Sequence, residues 1–269
     1  MGDTRGALRF ATYLAPNMYP VYQCVADFVG RQLRRPVELV VGESFAAFAR
    51  GAVDVGFICG LPYVALARHS PSPVELLAAP VLHGERYRGL PIYFSDVIVR
   101  HESAYRAFAD LRGCVWAYND PDSHSGYNIT RYTLVRLGET RGFFGRVVAA
   151  GFHQEALRMV ADGRVDASAI DSQVLAVELR DHPELAAHVR IISALGPATI
   201  QPVVVASHVS PALKDNIRAA IYAIGDDPQA RATLDRGFVA RFEPIADAAY
   251  DDIRAMVAAA EATDFMTLR

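Results

Sequence analysis

Two segments decide how this chain is read: Gly51-Ala-Val-Asp-Val-Gly-Phe-Ile58 and Gly163-Arg-Val-Asp-Ala-Ser-Ala-Ile170. Both have the form Gly-x-Val-Asp-small-x-x-Ile, and each follows a short amphipathic stretch, Phe45 to Arg50 and Glu155 to Ala161. A glycine past the last apolar position is a helix C-terminal signal. The aspartate then opens a short apolar run with the length of a buried strand. A pair of such units about a hundred residues apart points to two similar α/β lobes; a common helix-to-strand turn used twice is the alternative.

The flanking patterns repeat the alternation. Strand-like runs lie at Leu8–Leu14, Val37–Val41, Ile92–Arg100, Cys114–Tyr118, Val147–Ala149, Val165–Ile170, Val189–Ile192 and Gln201–Ser207. Helical periodicity covers Tyr19–Leu33, with Val21, Val25, Phe28 and Val29 on one face, then Tyr127–Leu137, His153–Ala161, Val174–Leu179, Pro211–Ile224 and Ile245 to about Ala260. Strands separated by helices imply right-handed βαβ units and mostly parallel sheets. The expected architecture is α/β with two lobes, residues 1–95 plus 203–269 in the first and 96–202 in the second. Ligands of such sheets bind outside the carboxyl ends of the strands, which here means the cleft between lobes.

Composition narrows the classes. Of 269 residues, 52% are hydrophobic and 21% charged, with a net charge of −3. That excludes a disordered chain and argues against a dedicated nucleic-acid binder. Cys24, Cys59 and Cys114 form no CxxC pair, so neither a zinc knuckle nor a redox motif is expected, and Cys24 and Cys59 read as small core residues. The eight histidines show no HxH or HExxH spacing, so no metal is expected, and no P-loop or GxGxxG is present to bind a nucleotide cofactor. No apolar run reaches the ~18–20 residues that span a bilayer. Met1–Gly6 runs into the first strand without a secretory leader pattern, which suggests either a cytoplasmic chain or one whose leader is removed.

Chemistry concentrates in Val115-Trp-Ala-Tyr-Asn-Asp-Pro-Asp-Ser-His-Ser-Gly-Tyr-Asn-Ile-Thr-Arg-Tyr132. A strand ends near Tyr118 and a helix starts near Gly126. Asp122, Ser123 and Ser125 are N-cap types, and Gly126 lets a ligand approach the backbone. A helix start offers N–H groups and the positive dipole end to an anion. No Lys or Arg lies between Trp116 and Thr130, so the donors there are neutral. An ordinary capped helix is the alternative. Ser123-His124-Ser125-Gly126 is not the Gly-x-Ser-x-Gly of a hydrolase, and no catalytic residue is assigned.

Asp120-Pro-Asp-Ser-His-Ser-Gly-Tyr127 resembles the Asp-Pro-x-Ser-x-Ser-Gly-aromatic segment of the periplasmic phosphonate-binding proteins, the substrate-binding components of phosphate, phosphite and phosphonate ABC importers. Gly51–Phe57 with Gly60-Leu-Pro-Tyr-Val64, Ile92–Val99, Ala150–Leu157 with Gly163–Ser172, and Pro202–Ser207 resemble that family in order and spacing, from about residue 8 to 240. The resemblance implies a type II periplasmic-binding fold closing on a small oxyanion, without catalysis. It implies an ABC permease as partner and a periplasmic or cell-surface location once a leader is removed; a monomer is expected, and the charge balance gives no nucleic-acid partner. Its ligand residues carry over to Ser123, Ser125, Gly126 and Tyr127, to Tyr93 on the crossover strand and to His153, which could donate to the anion or cap its own helix. Tyr13, at the end of strand one, could line the cleft or pack on a helix.

The departures from the family bear on the ligand. His124 stands where the family has threonine, and Phe45 where it has a pocket tyrosine. Gln173 and Gln201 fall where aminophosphonate binders place carboxylates against an ammonium, with Asp171 nearby and more suited to capping a helix. A glutamine supplies no charge to a desolvated ammonium. A phosphonate without an amino group, phosphite, phosphate or another small organic anion is therefore the expected ligand. A cytoplasmic enzyme or sensor domain on the same fold, acting on a small organic anion, is the rival reading.

Overall fold

Apolar side chains at helical spacing bury one face of Tyr19–Leu33 (α1): Val25, Ala26 and Val29 are fully buried, as are Phe10 and Ala11 on Leu8–Thr12 (β1). The computed structural model describes residues 6–269, and the leader expectation for Met1–Arg5 lies outside the described residues. After α1 come β2 (Val37–Val41), α2 (Ala46–Ala49), β3 (Val55–Phe57), α3 (Gly60–Ala67), β4 (Val74–Leu82) and β5 (Ile92–Arg100). Next are β6 (Val115–Tyr118), α4 (Ile129–Arg136), β7 (Arg146–Ala149), α5 (His153–Ala161), β8 (Ala167–Asp171), α6 (Ser172–Asp181), α7 (Pro183–Ala186) and β9 (Val189–Thr199). The chain ends with β10 (Val203–Ala206), α8 (Pro211–Ala223), α9 (Pro228–Arg236), β11 (Val239–Glu243) and α10 (Asp251–Ala262).

These elements form two units. The first holds the described residues up to Ile92 together with Ile200–Tyr250; the second holds Tyr93–Thr199 and Asp251–Arg269. The first sheet has the order β2-β1-β3-β10-β4-β11, and the second β7-β6-β8-β5-β9. In the first, β2 and β3 run parallel to β1, and β10 joins β3 antiparallel, Val204 opposite Gly56. In the second, β7 and β8 run parallel to β6, and β5 joins β8 antiparallel, Val97 opposite Ala169. Both sheets therefore share one plan, to which the first adds β11 on the edge of β4.

The repeated sequence motif performs the same task in each. Gly51 (φ 67°) and Gly163 (φ 72°) end α2 and α5 in the left-handed region that a side chain disfavours. The aspartate then clasps the neighbouring strand. Asp54 Oδ2 accepts from Arg9 N at 2.9 Å while Asp54 N donates to Arg9 O at 2.8 Å. Asp166 Oδ2 accepts from Val115 N at 2.7 Å while Asp166 N donates to Val115 O at 2.8 Å. Each carboxylate fixes where the third strand meets the first.

Three expectations are corrected. The C-terminal segment, expected with the first lobe, packs on the second: Tyr127 Oη accepts from Leu268 N, Phe143 N donates to Arg269 O, and Thr199 N donates to Asp252 Oδ2. Ile253 and Ala260 of α10 are fully buried there. Amphipathicity announces that a helix needs a partner, not which one. Second, β4, interrupted by Pro80, was not assigned from sequence; Pro80 lies opposite Phe242 on β11. Third, Cys24 and Cys59 are half-buried rather than core, and none of the three cysteines forms a disulfide; burial pushes the Cys114 thiol up to about 12. Among the described residues no helix is long and apolar enough to cross a membrane.

Candidate functional site

Strand β6 ends at Tyr118, and the chain turns through Asn119–Asp122, where Asp122 N donates to Asp120 Oδ1 at 2.7 Å. Ser123 is the N-cap, in extended conformation (φ −78°, ψ 131°), and its Oγ accepts from Gly126 N at 3.1 Å. The expected helix over Tyr127–Leu137 begins earlier, with a π-helical turn over His124–Asn128 in which Asn128 N donates to Ser123 O at 3.0 Å. Such wide turns recur at functional sites. His124 sets this one: it is completely buried, 3.1 Å from Asn128 Nδ2 through Nδ1, with the Tyr93 ring 6.2 Å away. Burial lowers its pKa to about 3, so it is a neutral prop for the turn.

A side chain at Gly126 would displace the Asn119 carboxamide. A Cβ there would lie 1.7 Å from Asn119 Oδ1 and 3.2 Å from His153 Cε1. His153, the first residue of α5, does not cap its own helix; its Nε2 lies 3.0 Å from Ser125 Oγ. It is 6% exposed, and burial lowers its pKa to about 3. A neutral imidazole has one N–H and one lone pair. If Nε2 donates to Ser125, the serine proton is left to donate elsewhere. If Nε2 accepts that proton, Nδ1 carries the spare N–H. Nδ1 is buried without a hydrogen-bond partner. The pair thus keeps one spare donor in either tautomer, beside Gly126.

Neighbouring elements hold these groups. Ser95 Oγ on β5 donates to Ser125 O. Ser95 is paired with Asp171 across β5 and β8. Asp171 Oδ1 accepts from Gln173 N (2.8 Å) and Val174 N (3.2 Å), so it caps α6, whose first turn carries the buried Gln173. Ser172 Oγ accepts from Phe94 N. Tyr127 packs edge-on against Tyr118, and its hydroxyl takes Leu268 N at 3.1 Å. Arg131 donates to Asn128 Oδ1 (2.7 Å) and Met266 O (3.0 Å) and lies over the Tyr127 ring, so this cation of α4 braces the turn.

Of the residues expected from sequence, Ser123, His124, Ser125, Gly126, Tyr127, Tyr93, His153, Asp171 and Gln173 belong to the second unit; bonds join Ser123 to Gly126, Ser125 to His153 and Asp171 to Gln173, and Tyr93 meets the site through the His124 ring. Tyr13, Phe45 and Gln201 belong to the first. There Tyr13 lies 4.5 Å from the Phe45 ring and donates to Ser44 O at 3.0 Å; burial raises its hydroxyl pKa. Gln201 is half-buried before β10. Sequence reasoning passed over Asn119, Ser95 and the C-terminal segment. Asn119 follows a strand in the segment richest in polar residues, the one signal available for it. Among the described residues no three His, Cys, Asp or Glu side chains are grouped to hold a metal.

Known structures share the fold at low identity. A binding-protein component of a Pseudomonas aeruginosa ABC phosphonate transporter matches with a TM-score of 0.83 and 18% identity, over 97% of this chain and 88% of that one. A Prochlorococcus marinus protein in complex with methylphosphonate matches with a TM-score of 0.82 and 16% identity, over 97% and 99%. A Xanthomonas citri protein bound to ATP matches with a TM-score of 0.73 and 18% identity, over 97% and 100%. The ligands differ while the fold persists, so the fold by itself does not name the ligand. A family model described as ABC transporter, phosphonate, periplasmic substrate-binding protein matches residues 10–250, and the chain belongs to that family of solute-capturing proteins.

Proposed function

We propose that the helix start of the second unit holds the anionic head of a small phosphonate-class oxyanion. The observation that carries this reading is the Ser125–His153 pair at 3.0 Å, nine-tenths buried and set against a glycine whose missing side chain leaves space for the Asn119 carboxamide. Ser125 or His153 donates one hydrogen bond, the Ser123 hydroxyl a second, and the amides of Ser125 and Tyr127 complete the cradle. The first turn of a helix carries N–H groups that its own carbonyls cannot serve. Donors fixed before the ligand arrives cost no reorganisation, so neutral groups suffice to hold an anion.

The family and the methylphosphonate complex of the Prochlorococcus relative support the phosphonate class. Gln173 and Gln201 carry no charge, and Asp171 is committed to two backbone amides. An amino group on the ligand therefore finds no charge at the two glutamines, and 2-aminoethylphosphonate is not the preferred ligand. We take the protein to be a monomeric carrier without catalysis, delivering its ligand to a membrane permease from the periplasm or cell surface. The family match favours this over the enzyme or sensor reading.

Calorimetry tests it. Methylphosphonate binds more tightly than 2-aminoethylphosphonate, and Ser125→Ala weakens methylphosphonate by roughly ten- to a hundredfold, the cost of a hydrogen bond to a charged group. Arg34→Ala, at the far end of α1, leaves affinity unchanged. Tighter binding of the amino compound, or equal loss in both variants, counts against the assignment.

A further inference from the structure

The cradle contains an acceptor as well as donors. Asn119 Oδ1 is buried, has no hydrogen-bond partner, and lies where a Cβ of Gly126 would be. The same position is 3.2 Å from His153 Cε1, the carbon between the two ring nitrogens, so the polar edge of His153 and the Asn119 carboxamide converge on Gly126. A fully ionised phosphonate has oxygens that only accept; it leaves an acceptor such as Asn119 Oδ1 unanswered, and a buried unanswered polar atom is costly. A singly ionised phosphonate retains one P–O–H, which donates.

The surrounding charges point the same way. His124 on the π turn and His153 on α5 are neutral. Arg131 on α4 is engaged with Asn128 and Met266. Asp120 and Asp122 in the preceding turn and Asp171 at the start of α6 are acidic, Glu155 on α5 is paired with Arg164, and the phenols Tyr93, Tyr118 and Tyr127 add no positive charge. A second negative charge enters this setting without a counter-ion, and desolvating it is expensive.

We propose that Asn119 is a specificity residue whose carboxamide oxygen accepts the proton of a singly ionised phosphonate, so that the protein selects the monoanion. The proposal rests on the anion assignment above. It is tested by calorimetry of the full chain with methylphosphonate and with methanesulfonate, a monoanion of similar shape that has no ionisable O–H. Affinity for methylphosphonate falls about tenfold per pH unit above the ligand's second ionisation, in a window from about pH 6 to about pH 8.5 where both buried histidines stay neutral. Methanesulfonate binds at least about tenfold more weakly than the phosphonate monoanion, and Asn119→Ala brings the two within about threefold of each other. Affinity that rises with pH, or methanesulfonate binding as tightly, overturns the Asn119 role while the anion site stands. No binding of methylphosphonate at any pH overturns both.

Discussion

The two units use one sheet plan and one aspartate clasp, yet the loops after their equivalent strands differ in kind. After β1 the chain passes through Leu14-Ala15-Pro16-Asn17-Met18 into α1, and Met18 and Tyr22 turn inward, Tyr22 stacking on Phe57 at 4.6 Å. After β6 it passes through Asn119-Asp120-Pro121-Asp122-Ser123 into a π turn lined with hydroxyl and imidazole groups. The start of α2 carries Phe45 packed on Tyr13, whereas the start of α5 carries His153 bonded to Ser125. A frame that repeats can be loaded differently at its loops. The first unit spends them on apolar packing; the second spends them on polar groups held neutral by burial.

That contrast can be broken at several points. The largest effect is in acid. His124 and His153 are fully protonatable when unfolded, near pH 6.5, but resist protonation down to about 3 in the fold. Between those values the unfolded chain binds more protons, so stability declines as pH falls from about 6.5, by up to about 1.4 kcal/mol per pH unit for each imidazole. The histidines of the first unit, His69, His83 and His208, are exposed. Hydrogen exchange at about pH 5 therefore opens the second unit first, and His153→Gln flattens the slope of melting temperature against pH. Equal opening of both units would erase the distinction.

Next, Gly126→Ala pushes Asn119 and His153 apart and lowers methylphosphonate affinity by at least about a hundredfold, while costing roughly 1–3 kcal/mol of stability, as overpacking does. Unchanged affinity in calorimetry would remove the close approach from the recognition argument. Asp54→Ala and Asp166→Ala probe what the units share. Each strands one strand amide, Arg9 N or Val115 N, and lowers stability by about 1–3 kcal/mol in denaturant titrations, Asp54→Ala the more because Asp54 Oδ1 also pairs with His208 Nε2 at 2.9 Å. Loss in only one of the two would mean that the motif is not one device used twice. The smallest effect is Tyr127→Phe, which removes the acceptor for Leu268 N and costs about 1 kcal/mol. A fully native melting temperature would show that the C-terminal segment does not need that bond.

Much of the frame is visible in the residues. α1, β2, β5 and α5 have the bounds that periodicity and stop signals give them. The Gly-x-Val-Asp repeat marks both third strands, because a left-handed glycine and a clasping carboxylate are local requirements. β4 escaped because its apolar run contains Pro80, and β11 because its partner lies far along the chain. At the candidate site, Ser123, Ser125, Gly126 and His153 stood out by residue type and resemblance. Asn119 and Ser95 did not, since an asparagine after a strand and a serine within one have many ordinary uses.

From its residues this chain declares two α/β halves, a capped polar helix start without cations, and likeness to phosphonate carriers, because periodicity, capping and motif spacing are short-range properties. Contacts between residues distant in sequence decided the rest. They bring Ser125 to His153 across 28 positions, bury both imidazoles so that they stay neutral, aim Asn119 at Gly126, and tie the last residues to the helix they brace. Burial and distance set donor counts and charge states, and neither exists until the sheet has gathered its strands.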